Sequence, residues 1–190
     1  MTVLGNGLSA ADHHEDALSV READLAMMRR LGDSEENMLV VQSNLASTSV
    51  ALGRHQDSMR MSQNVYSGRF KLLGEEHPQT LLAANNYADS LLYLQRFEEA
   101  KSLMRKMMPV ARRVFGESHE VTLKMRCTYA IALYKDPGAT LDDVREAVTT
   151  LEETERIGRR VFGGSHPYTA EIETCLRFSR AALRAREMEN

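Results

Sequence analysis

Tryptophan is absent from this 190-residue chain, proline occurs four times and cysteine twice. So few prolines leave the chain free to be helical, and long stretches without a Val, Ile or Thr alternation argue against strands. Cys127 and Cys175 have neither a CxxC spacing nor a companion cluster of histidines, which excludes a zinc ribbon or a disulfide framework and leaves them as small packing residues. No apolar run approaches the ~18–20 residues that cross a bilayer, so membrane insertion is not expected. The first thirty residues lack the basic start and apolar stretch of a signal peptide, and a cytoplasmic location is the expectation. A net charge of -3 and a pI near 6.1 supply no field to attract nucleic acid or an anionic membrane. Protein partners and small ligands remain.

What is present is a repeat. The segments starting at Arg29, Phe70, Arg112 and Arg159 align, and each is closed by a glycine: Gly32, Gly74, Gly116 and Gly163, at spacings of 42, 42 and 47. Each glycine ends an apolar, basic-tailed run, as a residue that must take positive φ after a helix would. The pairs Arg29-Arg30, Arg112-Arg113 and Arg159-Arg160 then lie in a last helical turn, where cations complement the macrodipole. A start signal follows each glycine: Glu35-Glu36, His77-Pro78 and His166-Pro167, proline suiting the first helical position. The histidines recur without a partnering ligand set, so capping or turn packing is expected of them rather than metal binding.

Within each unit Ala46, Ala88 and Ala130 recur at one helical position, beside Leu45, Tyr87 and Tyr129. A small residue there lets a neighbouring helix approach to about 8 Å between axes. Polar turns follow at Gly53-Arg54, Gln95-Arg96 and Asp136-Pro137-Gly138. The pattern predicts an all-α chain of eight helices at 12–31, 35–52, 55–73, 78–94, 97–115, 119–134, 141–162 and 167–187, paired as antiparallel hairpins.

The stretch from His77 to Gly116, with its His-Pro-x-Thr-Leu start, Asn85-Asn86-Tyr87-Ala88, Gln95-Arg96-Phe97-x-Glu-Ala and closing Phe-Gly, resembles the tetratricopeptide repeat of the longer 42-residue, kinesin-light-chain-like type. The resemblance covers nearly the whole chain and implies a right-handed superhelix of helical hairpins. It implies one array over 1–190: a partial repeat at 12–32, repeats at 33–74 and 75–116, a repeat with an insertion at 117–163 and a capping helix at 164–190. Three departures stand out. Cys127-Thr128 replaces the Asn-Asn pair, five extra residues precede a helix that Thr140 and Asp143 can start as a capping box, and Arg177 occupies the alanine position. At the other end, 12–31 reads as a second helix without its first, as in a fragment of a longer array.

The resemblance further implies that the first helix of each pair lines a concave face that binds a protein or peptide partner. Ser43, Asn44 and Ser47, then Asn85, Asn86, Asp89 and Tyr93, then Lys124, Cys127, Thr128 and Lys135 become the candidates. An asparagine amide offers two donors and an acceptor, enough to hold an extended backbone, or alternatively to bond an adjacent helix and set register. The family's preference is for acidic peptides, yet Asp89 stands among these residues. No phosphate loop, nucleophile elbow or HExxH spacing is present, so no catalytic residue, metal or cofactor is expected. In His13-His14-Glu15-Asp16 adjacent histidines diverge by about 100° on a helix and do not readily share a metal. The methionines of the second helices, Met59, Met61, Met104, Met107 and Met108, read as core filler or as an adaptable surface. A scaffold module is the expected function, and a regulatory segment of a larger protein is the alternative.

Overall fold

The computed structural model describes residues 2–189, and every regular element among them is helical: α1 Thr2–Ala10, α2 His14–Leu31, α3 Glu35–Ala51, α4 His55–Leu73, α5 Pro78–Tyr93, α6 Phe97–Phe115, α7 Glu120–Lys135, α8 Leu141–Phe162 and α9 Pro167–Glu189. The chain forms two compact units, Met1–Leu94 and Gln95–Asn190. In the first, α1 through α5 pack each against the next; in the second, α6 through α9 do the same, and α7 also meets α9. Short turns make consecutive helices antiparallel, so α3 and α5 run parallel to each other.

The helix ends follow the repeat. Gly32 closes α2 in the left-handed helical region (φ 70°, ψ 35°), whereas Gly74, Gly116 and Gly163 combine φ of 84–88° with an extended ψ, a region open only to glycine. After each of the last three glycines the next helix is capped by a histidine. The Nδ1 atoms of His77, His119 and His166 accept from the N–H groups of Gln79, Val121 and Tyr168, each at 3.2 Å. Two of these rings also lie over the phenylalanine that ends the previous helix, His119 on Phe115 at 4.3 Å and His166 on Phe162 at 5.0 Å between centroids. Ser34 caps α3, and Thr140 with Asp143 forms the expected capping box on α8.

Two features depart from the sequence expectation. The first is α1, which gives the opening hairpin its first helix, so 12–31 does not lack a partner. Gly5 and Gly7 mask the helical propensity of this segment, and packing overrides them. Arg21 of α2 supplies the tie: it is buried and donates to Asn6 Oδ1 and Ser9 Oγ of α1, both at 2.8 Å, and to Thr48 Oγ1 of α3. A Cβ at Gly5 would lie 3.1 Å from Arg21 Cγ, so the glycine makes room for that side chain. The second departure is the start of α2 at His14 rather than at 12, because Asp12 takes a positive φ of 61° in the connecting turn. Helix α6 runs unbroken through Pro109, as the sequence pattern predicts. Its buried stripe of Phe97, Ala100, Met104, Met107, Val110 and Ala111 outweighs the lost N–H donor.

The alanine stripe is buried as expected: Ala88 and Ala130 are inaccessible and Ala46 nearly so. Leu18, Leu25, Val41 and Leu45 form one core cluster of the first unit, and Leu39, Val65 and Ala83 join α3, α4 and α5 in another. Met104, Met107, Leu123, Met125, Leu133, Leu151 and Ile172 fill the second unit, and the buried methionines, with Met59, act as core rather than surface.

Candidate functional site

The candidate residues of the first unit lie on α3 and α5 and divide by burial. Asn44 and Asn86 hold the same position on the two helices and are half-buried, and among the described residues no side-chain hydrogen bond engages either amide. Ser43 is half-buried; Ser47 is exposed and turns its hydroxyl back to the Ser43 carbonyl at 3.3 Å. Asn85, by contrast, is only 3% exposed and donates to Asp89 Oδ2 at 2.9 Å, so it orients Asp89 rather than facing solvent. The position beside it, Ser90, faces α4, where its hydroxyl meets Ser58 and Ser62. The open arc of α5 therefore runs through Asn86 and away from Ser90.

Tyr93 ends α5 with 54% of its surface exposed, one ring face lying flat on His55 of α4 at 4.8 Å and 2°. Two residues of this face have no counterpart among the sequence candidates. Val40 and Leu82 are 39% exposed each, 42 residues apart and one turn before Asn44 and Asn86. Their shared spacing was the available signal; their apolar character pointed instead to the core. The face thus presents an apolar pair, an amide pair and an aromatic platform. Its helices contain no lysine or arginine, and carry Glu35, Glu36 and Asp89.

On α7 of the second unit the candidates are engaged differently. Thr128 and Cys127 are buried, Cys127 Sγ lying 3.6 Å from the Tyr168 hydroxyl. Lys124 pairs with Glu120 at 2.6 Å and sits 5.7 Å from the centre of the Tyr168 ring. The hydrogen bond from Lys124, with its charge, holds the Glu120 carboxyl below the usual range. Lys135 is exposed at the end of α7. Arg126 is buried and bonds Glu117 at 3.3 Å and Glu153, and Tyr129 accepts from Arg105 at 2.9 Å while donating to Glu146 at 2.8 Å. These contacts tie α6, α7 and α8 together and offer no reactive group. Burial pushes the Cys175 thiol up, away from thiolate chemistry. The two adjacent histidines turn to different carboxylates, His13 to Asp16 and His14 to Asp12. Among the described residues no three His, Cys, Asp or Glu side chains are grouped to hold a metal ion, and no helix is long and apolar enough to cross a membrane.

The helical hairpins, the glycine-histidine junctions and the buried alanines match a family model: residues 37–106 fit the tetratricopeptide repeat. Over that segment the chain is of the tetratricopeptide-repeat type. Two crystal structures of a Podosopora anserina protein described as a kinesin light chain with nearly identical TPR-like repeats share the fold. One, a point variant, aligns with a TM-score of 0.80 at 21% identity over 98% of this chain and 86% of that one. The other has a TM-score of 0.78 at 21% identity over 98% and 87%. BtubC (BKLC) from P. vanneervenii aligns with a TM-score of 0.71 at 16% identity, covering 99% of this chain and 78% of its own. No curated protein matches the sequence. At these identities the likeness fixes the fold: all-α, tandem helical hairpins of the tetratricopeptide type. Repeats of this kind support protein interaction.

Proposed function

We propose that these tetratricopeptide repeats form a cytoplasmic, non-catalytic scaffold over one array, and that the face of α3 and α5 binds an extended peptide segment of a partner protein. The observation that carries this reading is the equivalence of Asn44 and Asn86: half-exposed amides at one position of two parallel helices, each preceded by an exposed apolar residue, Val40 and Leu82. Two amides in register supply paired donors and acceptors for a peptide backbone, and the apolar pair supplies desolvated contact for its side chains. Ser43, Ser47, Asp89 and Tyr93 border that strip. Asn85 supports it from beneath by holding Asp89. The candidates of α7 form a separate group in the second unit: Lys135 exposed, Lys124 paired with Glu120, and Thr128 buried.

The test is selection from a displayed library of random dodecapeptides on the full chain and on the Asn44→Leu/Asn86→Leu variant. Peptides retained by the full chain and lost by an equally folded variant are expected. For a retained peptide, each single substitution should weaken binding by about 1–3 kcal/mol, while Glu98→Gln on α6 leaves it unchanged. Retention indifferent to both asparagines in a folded variant removes the proposal.

A further inference from the structure

The open side of α5 is one narrow line of side chains. Leu82, Asn86, Asp89 and Tyr93 follow one another at intervals of four, three and four residues, which keeps them on a single helical face. Between Leu82 and Tyr93 every other residue of α5 is buried except half-buried Leu92. We infer that Tyr93, held in place by His55, sets specificity on this face, and that it selects an extended segment carrying a proline about five positions from an apolar residue. The inference rests on the peptide-binding reading above and names the class of segment that the same face takes.

Tyr93 is pinned on one side only. The ring of His55, at the start of α4, lies flat against it, 4.8 Å between centroids and 2° between planes, while 54% of the tyrosine surface stays open. A ring fixed in this way offers a rigid apolar face and loses little further freedom when a partner lands on it. Ala51, the last residue of α3, holds the position 42 residues before Tyr93 and is exposed. The row on α3 therefore ends in a small side chain, which leaves room beside the ring.

Val40 and Leu82 stand at the other end of the two rows. Leu82 and Tyr93 are eleven residues apart, roughly 16 Å along the helix axis. A polyproline II chain advances about 3.1 Å per residue and covers that length in about five. Three properties suit such a chain to the strip. Its carbonyls project freely, open to the amide donors of Asn44 and Asn86. Proline has no N–H to be left unpaired against an apolar ring. Finally, so narrow a line of side chains offers few contacts to offset the ordering of a flexible chain, whereas proline has its φ fixed before it binds. An aromatic or guanidinium side chain would also lie on the ring, but neither lowers that ordering cost.

The experiment takes peptides from the asparagine-dependent fraction of the library and titrates them, fluorescein-labelled, against the full chain by fluorescence anisotropy. That fraction is expected to carry proline about five positions from an aliphatic residue. Replacing this proline by alanine should weaken binding about fivefold, the threshold of a hot-spot contact. The loss should vanish against Tyr93→Ala, persist against Tyr93→Phe and shrink against His55→Ala, which frees the ring. Tighter binding with phenylalanine or arginine in place of the proline overturns the inference, as does a proline effect that is unchanged in a folded Tyr93→Ala variant. Either result leaves the peptide-binding reading intact. An empty asparagine-dependent fraction removes that reading and the inference together.

Discussion

The hydroxyl of Thr122 donates to the carbonyl of Gly116 at 2.8 Å, closing the turn that joins α6 to α7. Thr169 repeats the bond to Gly163 at 2.9 Å, but Thr80, six residues after Gly74 in the same register, has a buried hydroxyl with no partner. Of three threonines at one repeat position, two therefore bond the glycine carbonyl and one does not. Thr122→Val is expected to cost about 1 kcal/mol by stranding the glycine carbonyl, whereas Thr80→Val removes an unsatisfied group and should be neutral or stabilising. Thermal melting of the two variants checks this; equal losses would mean that Thr80 has a bonded hydroxyl after all.

The junction glycines differ in the same way. Gly116 has φ 87° with ψ 168°, outside the region that other residues tolerate, while Gly32 lies in the left-handed helical region at φ 70°, ψ 35°. A Cβ would meet nothing within 4 Å at either place, so backbone strain alone decides the outcome. Gly116→Ala should destabilise by about 1–3 kcal/mol and Gly32→Asn by only a few tenths, a contrast that denaturant unfolding can resolve.

Gln95 occupies the turn position that Gly53 holds one repeat earlier, and it does so at φ 58°. A side chain in that region costs about 1–2 kcal/mol, part of which glycine returns through its greater unfolded-state entropy. Gln95→Gly should raise the melting temperature, with a gain on the order of 0.5–1 kcal/mol. A lower melting temperature would show that the Gln95 side chain makes a stabilising contact.

Asp136 and Lys101 form a pair at 2.9 Å, with Glu98 as a second partner of the lysine. The Lys101 hydrogen bond holds the Asp136 carboxyl below its usual range; for Lys101, burial opposes the charge, but the two carboxylates outweigh it and raise the ammonium. A depressed carboxylate stabilises the fold above its unfolded value, about 3.9, and that stability is lost as pH falls through the folded value. A raised lysine stabilises below its unfolded value, about 10.4, and loses its contribution as pH rises through the folded one. The pair should contribute fully from about pH 5 to 9. Asp136→Asn is expected to lower stability there by roughly 1–3 kcal/mol and to flatten the acid limb of melting temperature against pH. An unchanged acid limb would mean that Asp136 is not the group being titrated.

Periodicity made much of this protein legible without coordinates. Because glycine alone takes the positive φ needed after each helix, and because a close helix contact needs alanine, Gly32, Gly74, Gly116 and Gly163 and the run Ala46, Ala88, Ala130 marked the hairpins, and the capping roles of His77 and Thr140 followed from local geometry. Those are interactions between residues a few positions apart, and sequence spacing encodes them directly. Helix α1 was hidden because its stability comes from Arg21, a residue of another helix, and from a glycine that serves packing against its own propensity. The separation of Asn85 from Asn86, and of Thr80 from Thr122, depended on which neighbour each side chain meets. So did the exposure of Val40 and Leu82, whose apolar character alone assigned them to a core. Adjacent residues on a helix point about 100° apart, and only the packing of the surrounding helices determines which of those directions is filled by protein and which is left open to a partner.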